Sequence, residues 1–156
     1  MDNALQYAKA HQQDYQNQLI DLLKIPSVST DSAYTKEVKR AGEWVVADMQ
    51  AIGLTAELIE TNRHPLVYGE WLNAGDDKPT VLFYGHYDVQ PAVLADGWDH
   101  EPFDPIEKDG LLYARGSSDD KGQFLIHLKA VESILKSAGT LPINVKFIIE
   151  GEEESG

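Results

Sequence analysis

Apolar residues recur every three or four positions over the first two dozen residues. Leu5, Ala8, Tyr15, Leu19, Leu22 and Leu23 fall roughly on one face. That spacing predicts one helix, which Pro26 ends. Residues 25–29 read as a connecting loop. A second helix is predicted from about 35 to 52, on a stripe of Val38, Ala41, Val45, Met49 and Ile52, with Gly53 as its stop. Beyond Gly53 the period changes. Residues 54–60 and 66–72 look like strands separated by a turn at 61–65. The apolar run 80–84 is of the buried-strand kind, 91–105 is a long proline-containing loop and 111–114 is a short strand. A third helix over 121–138 is built on Phe124, Leu125, Leu128, Val131 and Leu135, and 144–149 is another buried strand.

Helices and buried strands alternate, which predicts an α/β domain with helices on both faces of a sheet. In such folds, sites form at the carboxyl ends of the strands. Three polar clusters sit at such places: His86 and Asp88, Asp119 and Asp120, and the acidic run from Glu150 to Glu154. No internal repeat or low-complexity segment interrupts the pattern.

Composition narrows the function. Twenty-six acidic residues against 13 basic ones give a net charge of -13, which repels phosphate backbones and argues against nucleic-acid binding. The same acidity suits carboxylates gathered around cations. There is no cysteine, so disulfides, thiolate metal sites and cysteine nucleophiles are excluded. The first 24 residues lack a continuous apolar stretch, so neither a signal peptide nor a membrane span is expected. The expected location is cytoplasmic.

His86 and Asp88 lie two apart, on the same side of an extended chain. The imidazole could bind a metal while the carboxylate holds its ring. An isolated pair of this kind is more often an ordinary hydrogen-bonded neighbour. Adjacent Asp119 and Asp120 before a helix are usually a solvated first turn, stabilised by the helix dipole. Alternatively one carboxylate bridges two cations, with Gly116 and Gly122 permitting an unusual backbone path. Four glutamates within five residues repel one another unless solvated or neutralised. Such a run is often a solvated tail, but this one leaves a buried strand where a site would be. Together the clusters form a His/Asp/Glu set suited to zinc or manganese.

Four runs now appear in one order: 83–91 (FYGHYDVQP), the loop from Gly97-Trp98 to Pro105, 112–122 (LYARGSSDDKG) and 150–156 (EGEEESG). From Ile25 onward the chain resembles the zinc peptidase family M-twenty, which contains carnosinases, cytosolic nonspecific dipeptidases, aminoacylases and desuccinylases. The resemblance implies a zinc-exopeptidase-like α/β sheet of the aminopeptidase and carboxypeptidase type. It implies metal ligation by His86, Asp119 and Glu154, with Asp119 bridging. It makes Glu153 the general base and Asp88 the residue that orients His86. The bond from Asp119 to Asp120 becomes a candidate for cis geometry. The implied cofactor is a pair of divalent cations, zinc above all, with manganese and cobalt also suited to the ligands. Water activated by the two metals would hydrolyse small peptides without a covalent intermediate.

Arg115 and Lys121 are expected to support the fold, and the serines to be structural. His11, His64, His100 and His127 match no ligand position. Tyr87 between His86 and Asp88, and the double serine before Asp119, resemble the dipeptidase branch more than the N-acyl amino acid deacylases, which remain the alternative reading. A non-catalytic folding unit is the alternative from another class. Family members are two to three times longer. The expectation is therefore an N-terminal portion of a catalytic domain, residues 1–156, its sheet incomplete. The lid domain, through which the parent would dimerise, and the remaining ligands are then absent. Such a piece would bind zinc weakly and hydrolyse nothing by itself.

Overall fold

The computed structural model describes residues 2–155, so Met1 and Gly156, the last position of the acidic motif, lie outside it. The helices are α1 (Asp2–Ala10), α2 (Gln12–Leu23), α3 (Thr35–Ile52) and α4 (Lys121–Ala138). The strands are β1 (Thr55–Ile59), β2 (Leu66–Trp71), β3 (Thr80–His86), β4 (Ile106–Lys108), β5 (Leu111–Tyr113) and β6 (Asn144–Glu150). Short 3-10 turns lie at Ser32–Tyr34, Leu94–Asp96 and Glu153–Ser155.

The predicted helix over the first two dozen residues is two helices. His11 leaves helical dihedrals, with φ -108° and ψ 15°, and its ring Nδ1 bonds the Tyr7 carbonyl at 2.9 Å. This lets α1 and α2 each follow α4. The stripe predicted on α3 is buried as expected, and Gly53 closes the helix in the left-handed region at φ +111°. β4 lies between the predicted loop 91–105 and the predicted strand 111–114, where no element is expected. It is a three-residue strand paired antiparallel with β5, too short to show a period.

The main sheet has the order β1-β2-β6-β3. β6 pairs antiparallel with β2 and parallel with β3, in a register that sets His86 opposite Glu150. β3 and β6 therefore end side by side and release their loops at one edge. Ala56, Val67, Phe147 and Ile149 are buried on one face. There Met49 of α3 fills the space above Gly69, and Phe124 of α4 that above Gly85. Phe83 stacks on both Phe147 and His127, with ring centroids 4.8 and 4.9 Å apart.

The expected α/β class holds, but among the described residues helices cover one face rather than two. α1 and α2 pack on α4, and the opposite face leaves Leu82 and Tyr84 56% and 58% exposed.

α4 is fastened to its neighbours by two buried lysines. Lys129 Nζ meets Asp48 Oδ1 of α3 at 2.6 Å and Glu132 Oε2 at 3.1 Å. Lys121, in the first turn of α4, is completely buried, and its Nζ donates to the carbonyls of Ile25 (2.7 Å) and Leu22 (3.2 Å). It thus ties the end of α2 to the start of α4, the supporting role expected for it. Burial disfavours the ammonium form strongly enough to bring Lys121 down to about 7, against a smaller opposing pull from Asp88.

An amine with a lowered folded-state pKa binds fewer protons than the unfolded chain between that value and its ordinary range, about 10.4. Its contribution to stability therefore rises with pH through that window and is at its lowest below pH 7. Urea unfolding from pH 7 to 10 should show wild type gaining stability relative to Lys121→Met. Parallel curves for the two proteins would contradict this.

Candidate metal centre

The loop leaving β3 and the turn leaving β6 meet at one buried carboxylate. Asp88 is fully buried. Its Oδ1 accepts the Glu153 amide at 3.2 Å, and its Oδ2 accepts the Glu154 amide at 3.0 Å and the Ser29 hydroxyl at 2.6 Å. Burial alone would raise its pKa. Hydrogen bonds from His86, Ser29 and the Glu154 amide outweigh that and hold it below the usual carboxylate range.

His86 ends β3 and is 7% exposed. Its Nδ1 lies 3.1 Å from the Asp88 carbonyl oxygen and 3.4 Å from Oδ1, so the Asp88 side of the ring carries the N–H. Nε2 points the other way, 3.0 Å from Asp119 Oδ1 and 3.9 Å from Glu153 Oε2. Burial lowers the imidazole pKa, but the hydrogen bonds and charge of Asp88, with Asp120 beyond, lift it to about 9. Ligation through Nε2 requires loss of the proton held there.

Asp119 is brought to this ring by the turn before α4. Its peptide bond to Asp120 is cis, the geometry for which the sequence made it a candidate. Gly116 lies in the left-handed region at φ +87°, and a Cβ on Gly122 would collide with the Ser117 carbonyl. Both glycines are therefore required by the path. Asp120 Oδ2 accepts the His86 backbone amide at 3.1 Å, locking the turn to the end of β3.

His86, Glu153 and Glu154 each offer a ligand atom within 4.8 Å of the others. Asp119 adjoins this group through His86 Nε2 without belonging to it, so three of the four residues expected to ligate or to act as base cluster mutually and the fourth lies beside them. The donors are an imidazole and carboxylates, the set that zinc and other first-row divalent ions accept. Among the described residues, no lysine or arginine forms an ion pair with Asp88, Asp119, Asp120, Glu153 or Glu154. The cluster is anionic with one imidazole, and its donors fit a cation.

Two supporting residues escaped the sequence reading. Gln90 Nε2 donates to Glu154 Oε2 at 2.8 Å, and Ser29 holds Asp88. Their partners lie 64 and 59 residues away, so no local spacing announces them. The other histidines have partners of their own. His11 bonds Tyr7, His64 bonds Ser29, His100 bonds Tyr113 and His127 stacks on Phe83. An apolar groove of about 750 Å³ between α1, α2 and α4 includes none of the clustered acids or His86, so it does not mark this centre.

Residues 82–156 match the profile of peptidase family M20/M25/M40. The Beta-Ala-His dipeptidase of Homo sapiens is 34% identical over 168 residues, covering 100% of this chain and 33% of its own. The Cys-Gly metallodipeptidase DUG1 of Candida albicans is 39% identical over 152 residues, covering 86% of this chain and 30% of its own. The solved structure of the dipeptidase Dug1p from Saccharomyces cerevisiae superposes with a TM-score of 0.91 at 29% identity, over 99% of this chain and 35% of that one. The chain belongs to peptidase family M20/M25/M40.

It spans about a third of the length of the relatives it matches. M20 membership fits the α/β exopeptidase-like fold and implies the use of divalent metal. Among the described residues no helix is long and apolar enough to cross a membrane.

Truncating Asp88 would strand the Ser29 hydroxyl and the amides of Glu153 and Glu154, while the His86 Nδ1–H keeps the Asp88 carbonyl. Asp88→Ala should lose about 3–5 kcal/mol of unfolding free energy, the range for breaking a buried charged pair. Urea denaturation at neutral pH measures this; a loss under about 1 kcal/mol, as at a surface position, would contradict the account.

Proposed function

We propose that this chain is part of the catalytic domain of a metal-dependent dipeptidase. Its centre would take two divalent cations, zinc above all, with manganese or cobalt as alternatives. The observation that carries the reading is the clustering of His86, Glu153 and Glu154, with Asp119 against His86 Nε2, without a lysine or arginine counter-charge among the described residues. The M20 relatives named as dipeptidases support the substrate class.

His86 Nε2, Asp119 and Glu154 would hold the cations. When bound, the cations supply Lewis acidity, lowering the pKa of water and polarising a peptide carbonyl. Asp88 keeps the His86 Nδ1–H turned towards itself, which leaves Nε2 facing the site. Glu153 is 46% exposed at its side chain, 3.9 Å from His86 Nε2, and pairs with no lysine or arginine among the described residues. It is free to accept a proton from water and return it to the leaving amine. Gln90 restrains the Glu154 carboxylate, so the ligand and the base, adjacent in sequence, are held apart in role. Substrates would be small peptides. Dimerisation through a further domain, and a cytoplasmic setting, belong to the same proposal.

The test is an assay of the whole protein loaded with zinc or manganese, on dipeptides against N-acetyl and N-succinyl amino acids. Dipeptides should be turned over and the acylated amino acids should not. Glu153→Gln should lower kcat by about 10²–10⁴-fold, the usual worth of a positioned general base, while retaining bound metal. Preference for N-acyl substrates would establish the deacylase reading instead. Full activity in Glu153→Gln would remove the base from Glu153.

A further inference from the structure

Ser29 is 5% exposed and sits in the loop after α2, far in sequence from every acidic cluster. Its hydroxyl donates to Asp88 Oδ2 at 2.6 Å. Its carbonyl accepts from His64 Nε2 at 2.9 Å, which identifies Nε2 as the protonated nitrogen of that buried ring, since a carbonyl oxygen can only accept. The loop is anchored along its length. Val28 bridges Val89, the Val89 amide donates to Ser27 O at 3.0 Å, and Lys121 holds the Ile25 carbonyl.

Among the described residues, the other groups at the Asp88 carboxylate belong to the centre itself: the His86 ring, 3.4 Å from Oδ1, and the amides of Glu153 and Glu154. Those partners belong to the residues that carry the ligand or base side chains. Among the described residues, Ser29 is the one partner mounted on a segment with no ligand of its own.

From this geometry we infer that Ser29 is a positioning residue for the divalent cation, acting through Asp88. Its hydroxyl fixes the rotation of the Asp88 carboxylate, so that Oδ1 stays towards His86 Nδ1 and His86 Nε2 stays aimed at Asp119. His64 in turn fixes Ser29. The inference rests on the reading of the centre as a divalent-cation site. It goes beyond that reading by assigning a function to a serine and a histidine that would otherwise be structural.

Ser27 provides the control. It lies in the same loop, is fully buried, and donates a bond of the same length, 2.6 Å, to the Tyr87 carbonyl rather than to Asp88. A merely structural serine should behave alike at both positions.

The experiment is zinc titration by calorimetry, with ¹⁵N NMR of the His86 ring in cation-free protein, on wild type, Ser29→Ala, Ser29→Thr and Ser27→Ala. Ser29→Ala should weaken zinc binding about tenfold, the lower end of the range for groups that support metal ligands, and Ser29→Thr should restore it to within about twofold. Ser27→Ala should lower thermal stability but leave zinc affinity unchanged. The His86 Nδ1 resonance should move in Ser29→Ala and not in Ser27→Ala. Equal losses of affinity in both alanine variants, or none in Ser29→Ala, would overturn the inference. If wild type takes up no zinc, the metal-centre reading itself fails. The ring resonance then still decides Ser29, because an unchanged His86 signal in Ser29→Ala denies it any hold on that imidazole. Should Ser29→Ala not fold, Ser29→Cys keeps the volume, weakens the donor and carries the same expectations.

Discussion

A carboxylate with no exposure to water is tolerable only if its charge is answered by hydrogen bonds from every side. Asp88 meets that condition with groups from three separate segments: Ser29 from the loop after α2, His86 at the end of β3, and the amides of Glu153 and Glu154 after β6. Each segment has a different route through the fold, and none is tied to the others by covalent closeness. The centre exists because they share this one acceptor, and the parallel pairing of β3 with β6 puts them in reach of it.

The acidic run after β6 shows how tertiary surroundings decide between a solvated tail and a site. Its four glutamates do not face water together. Glu150 accepts from the Tyr84 hydroxyl, Glu152 lies 3.7 Å from Arg63 Nε, Glu153 faces His86, and Glu154 accepts from Gln90. Sorting the four to separate partners relieves their mutual repulsion and leaves only Glu153 and Glu154 beside the imidazole. Concentrated negative charge in a chain already at -13 then becomes attraction for a cation.

Support for the centre comes from opposite ends of the physical scale. Lys121 is a charge-bearing side chain sunk completely in the protein, where it forms no ion pair among the described residues and is satisfied by two carbonyls. Asp119, two positions earlier, is 69% exposed at its side chain. The turn between them must therefore pass from interior to surface within two residues. Glycines flank this turn at 116 and 122: Gly116 takes φ +87° with the Val89 and Lys121 side chains close against it, and Gly122 leaves room for the Ser117 carbonyl.

Local chemistry in the sequence determined a good part of this. The 3.6-residue stripes of α3 and α4 predict both helices closely, because one buried face leaves a repeating signature. The ligand and base candidates were legible because each motif is contiguous: His86 with Asp88, Asp119 with Asp120, Glu153 with Glu154. The tertiary structure alone decided that β6, from the far end of the chain, lies between β2 and β3, that the helices described here cover one sheet face, and that His11 divides the first helix. It also decided which polar residues support the centre through long-range hydrogen bonds, inside the motifs or outside them. Ser29, Gln90 and Asp120 reach partners 59, 64 and 34 residues away, and hydrogen bonds across such separations leave no period or spacing in the chain. Their geometry is set by strand order and loop anchoring, which are properties of the packed whole.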